Sequence, residues 1–206
     1  MNTYLIEMAG VTVFAVSGAL TAGRKSLDLL GVVVIALVTA IGGGTLRDLL
    51  LDRAIFWIVD PTYLSVITVA ALATVVAVRF IPPPDKLLQL ADAAGLALFA
   101  ISGARIAENA GLPGIIVVTM ATITCVFGGI LRDVLCAEIP MILRKGNIYA
   151  TAVIAGAAIY VVLQQAGVNR DAAGLAGMAT IGGLRLAAIY FGLTLPVFSL
   201  REPPRT

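Results

Sequence analysis

Seven charged side chains lie inside stretches that are otherwise almost entirely apolar, and through them this chain can do more than pack. Arg47-Asp48 and Arg132-Asp133 each follow a glycine cluster, in Gly42-Gly43-Gly44-Thr45-Leu46-Arg47-Asp48 and in Gly128-Gly129-Ile130-Leu131-Arg132-Asp133. Glu7, Asp92 and Arg185 are the others. An ionisable group within a membrane span is costly, so each is a candidate for a polar path, an ion site or a buried pair.

The glycines point the same way. Without a Cβ they accept unusual dihedrals and let backbones approach closely. Two helices broken at related positions aim free carbonyls and N–H groups at one midplane site, which suits a hard, partly dehydrated alkali cation. Gly42, Gly43, Gly44, Gly128 and Gly129 are therefore read as helix breaks lining a pore, with Thr39, Thr45, Thr124, Ser17 and Ser102 as polar candidates beside them. Neighbouring helical residues point about 100° apart, so each Arg-Asp pair is poorly placed to satisfy itself. The expectation is that Arg47 pairs with Asp133 and Arg132 with Asp48.

Such residues need elements long enough to hold them in a bilayer. The 206 residues are 60% hydrophobic and 13% charged, with a mean hydropathy of +1.02, more apolar surface than a soluble domain can hide. Apolar runs place seven spans at Tyr4 to Gly23, Leu29 to Val59, Thr62 to Phe80, Lys86 to Ala107, Leu112 to Leu143, Asn147 to Gln165 and Asp171 to Leu195. The second would be about 46 Å long as one helix against a hydrocarbon core of about 30 Å, so it must tilt, bend or break. Pro82, Pro83 and Pro84 form a turn between two halves.

Sliding the sequence by 85 residues superimposes Phe14-Ala15 on Phe99-Ala100, Ser17-Gly18-Ala19 on Ser102-Gly103-Ala104, Thr39 on Thr124 and the glycine-Leu-Arg-Asp element on its second copy. Glu7 falls on Asp92. Three spans per copy force the second to enter the membrane from the opposite side, an inverted pair. The expected fold is an all-α polytopic membrane protein of seven transmembrane helices: repeat one over about 4–80, the proline turn, repeat two over about 86–165, and a seventh helix over about 171–195.

Basic residues set the orientation. Arg24, Lys25, Arg79, Lys86, Arg144, Lys145, Arg201 and Arg205 fall on one side, against Arg53, Arg105 and Arg170 on the other. The positive-inside rule puts the C-terminus in the cytoplasm and the N-terminus outside. The first apolar segment carries Glu7 and has no basic leader or small-residue cleavage site, so it reads as a retained span beginning near Met1.

Other classes fare poorly. The absence of histidine removes the usual general base and the commonest transition-metal ligand, so no enzyme, cofactor or metal site is expected. Cys125 and Cys136 lie too far apart along one span to bridge. A net charge of +2, dispersed at helix ends, gives no reason to expect nucleic acid.

Ser17-Gly18, Gly42-Gly43-Gly44-x-Leu46-Arg47-Asp48, Phe56-Trp57-x-x-Asp60-Pro61, Ser102-Gly103 and Gly128-Gly129-x-Leu131-Arg132-Asp133 together resemble the bacterial branch of the trimeric intracellular cation (TRIC) channel family, also described as glycine-transporter-domain proteins. The resemblance covers nearly the whole chain. It implies a homotrimer in the bacterial inner membrane, conducting potassium and other monovalent cations through a pore inside each protomer, lined by the second and fifth spans. The Lys-Glu-Val element of the animal members, associated with lipid and gating, is absent here. Small residues four apart, Ala15, Ala19 and Gly23 or Gly103, Ala107 and Gly111, offer faces for trimer contact or for packing within a protomer. The alternative function is a secondary transporter of glycine or another small zwitterion, which uses positive helix ends to hold a carboxylate. A membrane scaffold without a path explains the composition but not two polar interruptions.

Overall fold

A computed structural model describes residues 2–84 and 86–196. Among them are eight α-helices: α1 (Thr3–Arg24), α2 (Leu29–Leu50), α3 (Phe56–Val59), α4 (Thr62–Phe80), α5 (Leu87–Asn109), α6 (Gly114–Leu135), α7 (Ala150–Gln165) and α8 (Arg170–Phe191). Six are long and apolar enough to cross a membrane, and α7, at 16 residues, is a shorter apolar helix. With α3 a single turn, the chain is an all-α polytopic membrane protein of seven spans. Arg201 and Arg205, counted above for orientation, and Met1 lie outside the described residues.

The composition explains which face each helix turns outward. Val69, Val76, Phe80, Ile154, Val162, Leu175 and Phe191 are exposed on α4, α7 and α8, an apolar rim suited to lipid. In the centre α1 packs on α5, and each packs on the next helix of its repeat, α2 or α6. There the repeat shows in the contacts themselves. Phe14 and Phe99 stack with centroids 5.4 Å apart and planes 14° apart. A Cβ on Gly10 would meet the Phe99 ring and one on Gly95 the Phe14 ring, so each ring lies over the other helix's glycine.

α2 and α6 cross in the same reciprocal manner. A Cβ on Gly43 would stand 1.9 Å from the Thr124 carbonyl oxygen, and one on Gly128 would stand 2.1 Å from that of Thr39. Only glycine permits this approach of two backbones.

The expected helix breaks do not occur. α2 runs unbroken through Gly42, Gly43 and Gly44, and α6 through Gly128 and Gly129. The excess length of the second apolar run is relieved at its end, where the helix stops at Leu50 and Asp52 takes a left-handed φ of 49°. The chain then turns through 53–55 into α3. The fifth run ends likewise: α6 stops at Leu135 and Ala137, 85 residues after Asp52, has a φ of 52°. At 22 residues each, α2 and α6 are about 33 Å long and match the hydrocarbon core without a break.

The two faces of the bundle are tied separately. On one, called the N face here because α1 begins there, the Tyr4 hydroxyl donates to Asp60 Oδ2 at 3.1 Å, and Arg170 pairs with Glu108 at 2.8 Å. Hydrogen bonds from Thr62 and from Tyr4 hold the Asp60 carboxyl below the usual carboxylate range. On the opposite, C face, Lys25 pairs with Glu138, bringing the α1–α2 loop to the end of α6, and keeps that carboxyl low as well.

Candidate functional site

α2 carries Arg47 to within one turn of its N-face end, and α6 carries Arg132 to within one turn of its C-face end. The charges thus form two clusters at opposite ends of the bundle, with the glycine crossing between them, rather than one midplane group.

In the first cluster Arg47 is 1% exposed. Its Nη1 donates to Glu7 Oε1 at 2.9 Å and its Nε to Asp48 Oδ1 at 2.8 Å. Asp48 Oδ2 accepts from the Phe56 backbone N–H at 3.0 Å, which fixes the start of α3. Glu7 also accepts from the Tyr63 hydroxyl at 3.2 Å and from Ser102 Oγ, of the other repeat, at 3.0 Å. The Phe56 ring lies 5.6 Å from the guanidinium carbon.

The second cluster reproduces this with an offset of 85. Arg132 donates from Nε to Asp133 Oδ1 at 2.8 Å and from Nη1 to Asp92 Oδ1 at 2.7 Å and to Ser17 Oγ. Asp133 Oδ2 accepts from the Met141 N–H at 2.8 Å, and Met141 is the counterpart of Phe56. Each acid on α1 or α5 thus serves the arginine of its own repeat, while each serine crosses to the other.

Sequence reasoning found the charged residues and missed their pairing. The expected pairs Arg47–Asp133 and Arg132–Asp48 are replaced by Arg47 with Glu7 and Asp48, and Arg132 with Asp92 and Asp133. The 100° between neighbouring Cα–Cβ vectors was taken as decisive, but an arginine side chain is long enough to fold back so that Nε meets the adjacent carboxylate. The partners Glu7 and Asp92 were signalled by their own repeat relation. Tyr63, Phe56 and Met141 carried no such signal.

The hydroxyls divide by role. Ser17 and Ser102 bind the two charge clusters. Thr39 and Thr124 donate to Ile35 and Met120 carbonyls one turn back in their own helices. Thr45 donates to Ile41 and accepts from Trp57 Nε1 at 2.9 Å, pinning α3 to α2. Arg185, on α8, donates from Nη1 to Asn147 Oδ1 at 2.9 Å and the Ile148 carbonyl at 2.7 Å, and lies 4.9 Å from the Tyr149 ring centre. Among the glycines, Gly44 is covered by the Phe56 ring, whereas Gly129 faces the Tyr149 hydroxyl.

Two guanidiniums among four carboxylates, each cluster sealed in a helical bundle, resemble no hydrolytic or redox centre. Among the described residues no group of three His, Cys, Asp or Glu side chains is placed to hold a metal ion.

A protein-family model described as glycine transporter matches residues 4–79 and again 89–165. The chain is 45% identical to the UPF0126 inner membrane protein YadS of Escherichia coli (strain K12), over 100% of both chains. It is 44% identical to a UPF0126 membrane protein of Vibrio cholerae, over 97% of this chain and 84% of that one. Among solved structures, the TRIC trimeric intracellular cation channel orthologue from Rhodobacter sphaeroides superimposes with a TM-score of 0.88 at 41% identity, covering 93% of this chain and 98% of that one. The chain belongs to the TRIC family. A second solved TRIC cation channel chain gives a TM-score of 0.87 at 34% identity over 98% of this TRIC protein.

Proposed function

We propose that this TRIC protein is a monovalent cation channel permeable to potassium, assembled as a homotrimer with a separate path inside each protomer. The observation that carries this reading is the full-length likeness, in sequence and in backbone, to solved TRIC cation channels. The geometry suits it. Each cluster sets two carboxylates against one guanidinium, so acid exceeds base at the two ends of the α2–α6 pair, and both ends favour cations over anions. The path is assigned to the space along α2 and α6, with Gly42, Gly44 and Gly129 as the small residues that narrow or widen it.

The repeat limits of about 4–80 and 86–165, with the seventh helix at about 171–195, are part of the same proposal, supported by the two family-model matches. So is an orientation with the N face outside and the C face cytoplasmic.

The family model's own description favours a second reading, transport of glycine by alternating access. One experiment separates the two. In liposomes holding the purified protein, the channel reading expects potassium flux that follows an imposed voltage and no saturable glycine uptake. Saturable glycine uptake without autonomous potassium flux overturns it.

A further inference from the structure

The seventh span stands outside the duplicated pattern, yet it buries a charge against one cluster only. Arg185 is 2% exposed and sits in line with Gly174, Gly177 and Ile181 on the buried face of α8. Its Nη1 is clamped by Asn147 Oδ1 and the Ile148 carbonyl, its guanidinium lies over Tyr149, and its Nε has no hydrogen-bond partner among the described residues. Asn147 is itself held, because Asn147 and Thr194 form a bridge and the Leu195 N–H donates to the Gly146 carbonyl at 2.9 Å.

Arg185 stands between two spaces. Outward lies a cavity of about 300 Å³ at the C face, lined by Arg144, Lys145, Arg185, Gln89 and Asn147 and by no carboxylate among the described residues. Inward lies the second cluster, where the Tyr149 hydroxyl reaches Gly129 and the Asp92 carboxylate acts on Arg185 through space. At the N face the first cluster has no such cation. Its outward depression, of about 460 Å³, is lined by Tyr4, Arg53, Phe56, Asp60 and Tyr63, with one acid against one base.

From this asymmetry we infer that Arg185 is a selectivity- and direction-determining residue of the path: a tethered guanidinium that neutralises the excess acid of the second cluster and raises the barrier to cations entering from the C face. The inference rests on the channel reading. A positive charge fixed at one mouth lowers the local cation concentration there and leaves the other mouth unaffected, so the current–voltage relation is bent by it. In the resting geometry the Arg185, Asn147 and Tyr149 contacts also close the route between cavity and cluster.

The test is the current–voltage relation of the full-length protein in planar bilayers with symmetric KCl, for the wild type, Arg185→Gln, Arg185→Lys and Lys145→Gln. Arg185→Gln is expected to raise the current carried by potassium entering from the C face about threefold relative to the opposite direction, the factor for one unit charge acting over about 6 Å of water-like medium. That shift appears at about 10 mM salt, where the Debye length is roughly 30 Å, and fades at about 1 M, where it is roughly 3 Å. Arg185→Lys keeps the charge and keeps the wild-type asymmetry. Lys145→Gln, at an exposed residue of the same cavity, shifts the relation in the same direction by less, and decides the matter should Arg185→Gln fail to insert.

An unchanged relation in Arg185→Gln overturns the inference, as does an equal shift in Arg185→Lys or a change insensitive to salt. A wild type without potassium current removes the channel reading itself, a result distinct from all of these.

Discussion

A guanidinium buried between two carboxylates stabilises the fold only while all three are present, because removing the cation leaves two like charges in a medium that solvates neither. Arg132 is fully buried and contacts Asp92, Asp133 and Ser17. Arg132→Ala is therefore expected to cost about 3–5 kcal/mol, the usual scale for breaking a buried pair. Thermal unfolding in detergent reads it, and a transition within a degree or two of wild type would show that the cluster contributes no such stability. At this scale the sequence was informative about which residues matter. An Arg-Asp doublet repeated inside apolar helices has no bland reading as costly as itself. The partners were illegible because they depend on how a flexible side chain folds and on which face α1 and α5 present, neither of which has a spacing signature.

At the scale of helices, the glycines act through what they omit. Gly43 and Gly128 sit where α2 and α6 touch backbone to backbone, whereas added Cβ atoms at Gly182 and Gly183 on α8 meet nothing within 4 Å. Gly43→Ala and Gly128→Ala must force the crossing helices apart and are expected to destabilise by at least about 1–3 kcal/mol, the cost of overpacking a closed contact. Gly182→Ala should be neutral or mildly stabilising, since alanine favours a helix over glycine by about 1 kcal/mol. Detergent melting of the three variants side by side checks the contrast, and equal effects would mean that the α2–α6 approach is not what these glycines serve. The glycine clusters were visible in the sequence and their role was misjudged. A triplet of glycines lowers helix propensity, but within a bilayer an unpaired backbone costs more than that propensity gains, so the helix persists and the small residues are spent on contact. The ends of the long apolar runs were equally hard to read. Asp52 and Ala137 leave the helix with left-handed backbones that neither residue type advertises.

For the whole molecule, the duplication is the feature most fully legible beforehand, because an offset of 85 residues relates not only sequence letters but stacked rings, crossing glycines and both charge clusters. An odd number of spans per copy then makes the two ends of the bundle equivalent in structure, and only the loops and the seventh span distinguish them. The distinction is one of charge. Arg24, Lys25, Lys86, Arg144 and Lys145 gather at the C face, against Arg53, Arg105 and Arg170 at the N face, where Arg105 and Arg170 are already engaged with Asp171 and Glu108. Basic loops are retained in the cytoplasm, so cysteines introduced at Arg53 and Val168 should react with a membrane-impermeant thiol reagent added outside intact cells. Cysteines at Lys25 and Lys145 should react only after the membrane is opened. The native Cys125 and Cys136 are buried and leave a low background. Labelling from outside at Lys25 and Lys145 instead would invert the protein, move the basic Arg185 cavity to the outer surface, and reverse the direction in which that residue opposes cation entry.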